Sequence, residues 1–140
     1  MNNIIYKNFE LKYLDDLHKL SISNNDILKP NTKMVYFIIG NYFSDTSFIA
    51  LDNNKIVGFL VSFKRETKIW LHQIAVDKNF RKKGIASKLL NMLEEKLVDA
   101  TIEFSVKENN SNAIRLYESI GYKKIKYNEQ IDQIIYSKKI

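Results

Sequence analysis

The residues with the most chemistry lie in one stretch, L-H-Q-I-A-V-D-K-N-F-R-K-K-G-I-A-S-K-L-L-N-M-L-E-E-K-L, residues 71–97. A strand-like segment ends at Val76, a basic loop follows, and Gly84 opens a segment with Ile85, Leu89, Met92, Leu93 and Leu97 at helical spacing. The first amides of a helix have no partner inside it and sit at the positive end of its dipole, so they form an anion site before any side chain is added. Gly84 lets the backbone approach a phosphate closely, and Arg81, Lys82 and Lys83 gather positive charge beside it. The spacing is not that of a Walker loop, which needs two glycines bracketing four residues before Lys-Ser/Thr. It is not the dinucleotide pattern G-x-G-x-x-G either. A solvated basic turn has the same composition, so phosphate binding and a plain turn both stand at this level. His72, four residues before Val76, has a side chain whose ordinary pKa of about 6.5 suits proton relay; a strand histidine partly facing solvent is the alternative. His18, beside Asp15 and Asp16, reads as a surface residue.

The elements that must hold these groups follow from the hydrophobic period. Residues 2–8 alternate as a strand, and Leu11, Leu14, Leu17 and Leu20 mark a helix over 10–20. A polar loop over 24–30 precedes a more apolar helix over 33–43. Strands are predicted over 47–51 and 55–63, joined by the hairpin signal Asp52-Asn53-Asn54, and again over 68–76. After the loop 77–83 and the helix 84–97 come a strand over 101–106 and a helix over 110–120, with Ala113, Leu116, Tyr117 and Ile120 on one face. Strands over 122–127 and 131–138 close the chain. The order βααβββαβαββ is a mixed α/β pattern with one strand–helix–strand crossover.

Composition bounds the function. A chain of 140 residues with one proline, four glycines and no linker or repeat reads as a single domain, 1–140. Hydrophobic residues at 45% and charged residues at 27% exclude a disordered or collagen-like chain. The absence of cysteine excludes a disulfide framework, thiolate metal ligands and a thiol nucleophile. Two histidines argue against structural zinc, so no metal is expected. No apolar run approaches the ~18 residues of a membrane span and the first residues lack a signal-peptide pattern, so a cytoplasmic protein with no membrane partner is expected. The net charge of +6, from 22 Lys+Arg against 16 Asp+Glu, fits nucleic acid, an anionic surface, a phosphate-bearing ligand, or a general bias toward lysine.

Two motifs narrow these alternatives. R-K-K-G-I-A resembles the R/Q-x-x-G-x-G/A pyrophosphate loop of the GNAT superfamily of N-acetyltransferases, and N-N-S-N-A-I-R-L-Y-E-S-I-G-Y is similar to that family's N-x-x-A-x-x-L-Y-x-x-x-G-F/Y element. The second match puts Asn110, Ala113, Leu116, Tyr117, Gly121 and Tyr122 on signature positions. Either motif alone is weak; both, in order and joined by one helix and one strand, are specific, and the surrounding elements extend the resemblance over nearly the whole chain.

The resemblance implies an α/β (α+β) GNAT-like fold: a mixed, mostly antiparallel sheet whose parallel fourth and fifth strands splay apart, with helices on both faces. It implies acetyl-CoA as cosubstrate and an amine as acceptor. Backbone groups of Ile74, Ala75 and Val76 would pair with the pantetheine arm, and the pyrophosphate would rest on Lys82, Lys83, Gly84, Ile85, Ala86 and Ser87 beside Arg81. Asn110 falls among the cofactor-binding positions. Tyr117 would lie near the sulfur as general acid, and an amide at Val76 could hold the thioester oxygen as charge develops there. L-H-Q-I-A-V also looks like the L-H-x-L-A-V of arylalkylamine N-acetyltransferases, which implicates His72 in proton relay, although Trp70 stands where those enzymes have a second histidine. L-Y-E-S-x-G-F/Y is shared with the acetyltransferases of ribosomal-protein N-termini, but their fifth-strand carboxylate would fall at Ser105; Glu103 is a substitute position, not a match.

With no cysteine to carry an acyl group, direct attack in a ternary complex is expected. Acceptor contacts are expected from the loop over 21–33, the helix after it and the turn over 127–131. Asp26, Glu129 and Asp132 are candidate amine attractors, and Tyr36, Phe37, Tyr42 and Phe43 candidate pocket or core aromatics. Gln73 reads as a hydrogen-bonding strand residue. The alternative function is a non-catalytic acyl-CoA-binding sensor, favoured by the missing carboxylate at Ser105. A nucleic-acid-binding domain would spread its charge along a face, whereas the densest cluster here coincides with the cofactor loop, so no nucleic acid is expected. Homodimerisation is compatible with the family and is not legible in these residues.

Overall fold

The change of hydrophobic period along the chain decides most element types. The computed structural model describes residues 3–24 and 31–140. In chain order its elements are β1 (Ile5–Asn8), a 3₁₀ turn (Leu11–Tyr13), α1 (Leu14–Ser23), α2 (Lys33–Tyr42), a 3₁₀ turn (Ser44–Thr46), β2 (Phe48–Asp52) and β3 (Lys55–Arg65). They continue with β4 (Lys68–Val76), a 3₁₀ turn (Lys78–Phe80), α3 (Ile85–Glu95), β5 (Thr101–Val106), α4 (Ser111–Ser119), β6 (Lys123–Asn128) and β7 (Gln133–Lys139). The strands hydrogen-bond in the order β1-β2-β3-β4-β5-β7-β6. β4 and β5 run parallel, while the pairs β1/β2, β2/β3, β5/β7 and β6/β7 are antiparallel. This is the mixed, mostly antiparallel α/β arrangement expected from the sequence. The parallel ladder is short: Lys68 pairs with Thr101, Ile69 with Ile102 and Trp70 with Glu103, although β4 runs on to Val76 and β5 to Val106.

By internal contact density the chain divides into two compact units, residues 1–63 with 72–96, and residues 64–71 with 97–140. In the first, Leu17 and Leu20 of α1 and Tyr36 and Ile39 of α2 bury against Phe9, Ile49, Leu51, Ile56, Phe59, Val61 and Ala75. The leucine row expected as one helix over 10–20 begins as a 3₁₀ turn, which leaves Leu11 exposed, and becomes α-helical at Leu14. Asp15 and Asp16 sit in the first turn of α1, where they complement the helix dipole. Asn53 and Asn54 take positive φ values of 49° and 66° between the paired Asp52 and Lys55, the two-residue hairpin turn that right-twisted strands favour. In α3, Ile85, Leu89, Leu90 and Leu93 are buried. Met92, expected on that face, is only half-buried, because Leu90 widens the apolar sector on the side away from it.

The second unit packs around aromatic rings. Phe104 of β5 lies 4.4 Å from Tyr117, 5.2 Å from Tyr122 and 5.9 Å from Tyr136, between ring centroids. α4 ends in a Schellman turn: the Tyr122 N–H donates to the Tyr117 carbonyl at 3.0 Å and the Gly121 N–H to the Glu118 carbonyl at 3.2 Å. Gly121 supplies the left-handed φ of +100° that this turn needs. β6 ends the strand order, and Lys123, Lys124, Ile125, Lys126 and Tyr127 along it are all exposed. Its register against β7 shifts between Lys124 and Lys126.

Candidate functional site

The first turn of α3 presents backbone amides that no helical carbonyl accepts. Asp77 accepts the Asn79 N–H at 2.9 Å and starts the 3₁₀ turn that follows β4. Lys82 and then Gly84 take positive φ values of 62° and 83°, swinging the chain into the helix. A Cβ on Gly84 would meet nothing within 4 Å, so conformation rather than crowding calls for glycine there. The Lys88 N–H is bonded to the Gly84 carbonyl at 3.0 Å, which leaves the amides of Ile85, Ala86 and Ser87 ahead of the helical ladder and without an acceptor inside it. Lys82 and Lys83 are exposed beside this turn, with the Lys83 ammonium 5.3 Å from the centre of the Phe80 ring.

Arg81 is placed differently from its two basic neighbours. Its Nε donates to the Val76 carbonyl at 3.0 Å and its guanidinium reaches Asn24 Oδ1 at 3.3 Å, while Asn24 Nδ2 donates to the same Val76 carbonyl at 3.1 Å. These bonds tie the end of β4, the basic loop and the C-cap of α1 together. Asn24 is therefore a site-building residue that sequence reading missed; its one local signal is the preference for asparagine where a helix ends.

The height of the α3 terminus above the sheet is set by Gly58 of β3. A Cβ built there would lie 2.9 Å from Ile85 Cγ2 and 3.4 Å from the Ala75 carbonyl oxygen. Only glycine lets the first residue of α3 come this close to the strands.

Upstream on β4, His72 and Gln73 meet groups from the α2 side. Asn31 Nδ2 lies 2.7 Å from His72 Nε2. The Tyr36 hydroxyl donates to Gln73 Oε1 at 2.6 Å and accepts the Asn31 N–H at 3.5 Å. Phe63 stands edge-on to the His72 ring at 5.2 Å, and Phe43 stands edge-on to Phe63 at 5.4 Å. Burial holds the His72 pKa below its usual value, which favours the neutral base form near neutral pH. Of the four candidate aromatics, Tyr36 is fully buried, Phe43 half-buried, and Phe37 and Tyr42 exposed. His18, read as surface, is half-buried, with its ring 6.1 Å from that of Tyr36. Asp26 lies outside the described residues.

The remaining candidates belong to the second unit. Tyr117 is 7% exposed, and burial pushes its phenol up to about 12. Asn110 accepts the Ala113 N–H at 3.4 Å as the N-cap of α4, a structural duty that accounts for its side chain. Glu103 is ion-paired with Lys68 at 3.4 Å. Ser105 is half-buried opposite Ile135 in the β5/β7 ladder. In the β6–β7 turn the Tyr127 hydroxyl bonds Asp132, while Glu129 is exposed. The structure thus gathers His72, Ile74, Ala75, Val76 and the loop from Arg81 to Ser87 in the first unit, and Tyr117, Asn110 and Glu103 in the second. Among the described residues, no cluster of three or more His, Cys, Asp or Glu could hold a metal ion, and no helix is long and apolar enough to cross a membrane.

Comparison with known proteins places this geometry. The model of the acetyltransferase (GNAT) family matches residues 14–122. N-alpha-acetyltransferase 30 of Dictyostelium discoideum is 29% identical over 114 residues, covering 76% of this chain and 62% of its own length. The L-2,4-diaminobutyric acid acetyltransferase of Marinococcus halophilus is 28% identical over 106 residues, 71% of this chain and 62% of its own. The chain thus spans about three-fifths of the length of these curated relatives. Among solved structures, a diaminobutyrate acetyltransferase from Paenibacillus lautus, in complex with L-2,4-diaminobutyric acid and coenzyme A, has the same fold. Its TM-score is 0.85 at 23% identity, covering 98% of this chain and 95% of that one.

Proposed function

The chain belongs to the acetyltransferase (GNAT) family, and from that premise we propose that residues 1–140 act as one cytoplasmic domain that moves an acetyl group from acetyl-CoA to a primary amine. The observation that carries the reading is the first turn of α3: the amides of Ile85, Ala86 and Ser87 stand behind a left-handed Gly84, with Lys82 and Lys83 beside them, at the positions where the family motif puts a pyrophosphate. Diaminobutyrate, the peptide N-terminus and polyamines share one chemistry, an unhindered primary amine, and they form the acceptor class proposed for this chain.

An ammonium with a pKa of about 10.4, or about 8 for an α-amine, must lose a proton before it can attack the thioester carbonyl. His72, kept neutral by burial, is the base in this reading. The amine nitrogen then bonds the carbonyl carbon, negative charge gathers on the oxygen opposite the Val76 amide, and the carbon–sulfur bond breaks to release CoA thiolate. Tyr117 is assigned to the leaving sulfur by the family motif. With its phenol at about 12 and a thiol near 8.5, full transfer of the phenolic proton would be uphill by about 5 kcal/mol. Tyr117 therefore acts by donating a hydrogen bond to the thiolate, and the proton that neutralises the sulfur comes from solvent or from the acceptor.

The test combines calorimetry with acetyl-CoA and thiol release over a panel of L-2,4-diaminobutyric acid, spermine, an arylalkylamine and short peptides with free N-termini. Saturable binding and turnover with one acceptor class are expected. Binding without turnover would favour the acyl-CoA sensor, which the missing carboxylate at Ser105 recommends. No binding would defeat both readings.

A further inference from the structure

Asn31 precedes α2 and belongs to neither family motif, yet its side-chain amide nitrogen is 2.7 Å from His72 Nε2. An amide nitrogen only donates, so the imidazole nitrogen facing it accepts, and the ring must carry its proton on Nδ1. We infer that Asn31 is the positioning residue of His72: it holds the ring in the Nδ1–H tautomer, so that Nε2 is the accepting nitrogen, and it occupies the place that an acceptor ammonium must take to give up its proton. This rests on the acetyltransferase reading for its consequence in catalysis and on the geometry alone for the tautomer.

The surroundings make the hydrogen bond decisive. Asn31 is itself anchored, because its backbone N–H donates to the Tyr36 hydroxyl, which donates onward to Gln73 Oε1 on the same strand as His72. Tyr36 is fully buried against Phe59 and Ile39, so this relay of neutral groups is fixed to the core. From β3 the ring is met by Phe63, which offers no polar atom. Among the described residues, Asn31 and Phe63 are the groups recorded against the His72 ring, and Tyr36 is the titratable side chain in the adjoining relay. The shift at His72 comes from burial. With no charged group recorded at the imidazole among the described residues, a single neutral donor decides which nitrogen accepts. The same donor competes with the acceptor's N–H for one lone pair, so acceptor binding must displace it.

The experiment reads the tautomer and the pH profile separately. Long-range proton–nitrogen NMR of the full chain, labelled at histidine and free of ligand, should show His72 as the Nδ1–H form in the wild type. In Asn31→Ala the Nε2–H form should gain. Asn31→Asp places a carboxylate at the same nitrogen and should raise the acid limb of kcat/KM by about one pH unit, with acetyl-CoA and the fastest acceptor of the panel as substrates. Asn31→Ala should lower kcat/KM about tenfold, with acetyl-CoA binding retained. A wild-type ring in the Nε2–H form, or an Asn31→Ala ring unchanged from wild type, overturns the inference, as does an Asn31→Asp profile that falls equally at every pH. Absence of turnover in the wild type would defeat the functional reading instead, while the NMR comparison would still decide the tautomer.

Discussion

Gly58→Ala would perturb the candidate site from β3, a strand that supplies none of the proposed ligand contacts. The added Cβ would stand 2.9 Å from Ile85 Cγ2, where an ordinary carbon–carbon contact is about 3.5 to 4.0 Å. The Ala75 carbonyl at 3.4 Å closes the other side, so the strain must be relieved by moving Ile85, the first residue of α3, by roughly an ångström. Overpacking of this kind costs about 1 to 3 kcal/mol, partly offset by about 0.5 to 1 kcal/mol from replacing a strand glycine. A net loss of about 1 to 2 kcal/mol, or roughly 3–8 °C in Tm, is expected. Because the amides of Ile85, Ala86 and Ser87 move with the helix, Kd and KM for acetyl-CoA should rise about tenfold, while KM for the amine changes little. Thermal melts, calorimetry and initial rates at varied acetyl-CoA measure these effects. A double-mutant cycle with Ile85→Ala identifies the cause: the cavity left by Ile85 receives the new methyl, so the pair should cost less than the sum of the single changes. Additive losses, or unchanged acetyl-CoA affinity in Gly58→Ala, would refute the argument that this contact sets the height of the α3 terminus.

Other substitutions separate charge, conformation and proton transfer. Gly84→Ala meets no neighbour, so it should lose only the roughly 1–2 kcal/mol of a left-handed residue, whereas Gly84→Glu should lose acetyl-CoA binding by calorimetry; equal weakening by the two would count against an anion site. Tyr117→Phe should reduce kcat by about a hundredfold and leave acetyl-CoA affinity within a factor of three, and a variant with full kcat would remove the tyrosine from the mechanism. The His72 pKa is lower in the folded chain than in the unfolded one, so the unfolded state binds more protons between the two values and stability falls as pH drops from about 6.5 through the folded pKa. Urea midpoints from pH 8 to pH 5 should therefore fall more in the wild type than in His72→Gln, and parallel curves would contradict this.

What was legible in the sequence was what depends on neighbours along the chain. The amphipathic row of α3, the Asp52-Asn53-Asn54 hairpin and the helix before Gly121 are all local, and each took the form its residues favour. What was not legible depends on distant parts of the chain. Arg81 reads as part of the cofactor loop, and the bonds that its side chain makes to Val76 and to Asn24, a partner 57 residues away, were not legible there. Gly58 gave no sign of its role, because the atom that excludes a side chain there belongs to Ile85. Asn31 was one polar residue among several before α2, and only the folded chain shows the imidazole 41 residues on that it meets. Asn110 carried a family signature whose local physics is helix capping.

The lysine-rich β6 has a consequence unrelated to acetyl transfer. As the last strand of the sheet it offers one side of its backbone to any other extended chain, with Ile125 at 52% and Tyr127 at 41% exposure as an apolar invitation. Edge strands of that kind template aggregation unless they are blunted. Lys123, Lys124 and Lys126 bring repelling charges to the edge, and the register shift between Lys124 and Lys126 interrupts the flat ladder a second copy would need. Part of the +6 charge thus stands where it repels a second copy of the same edge.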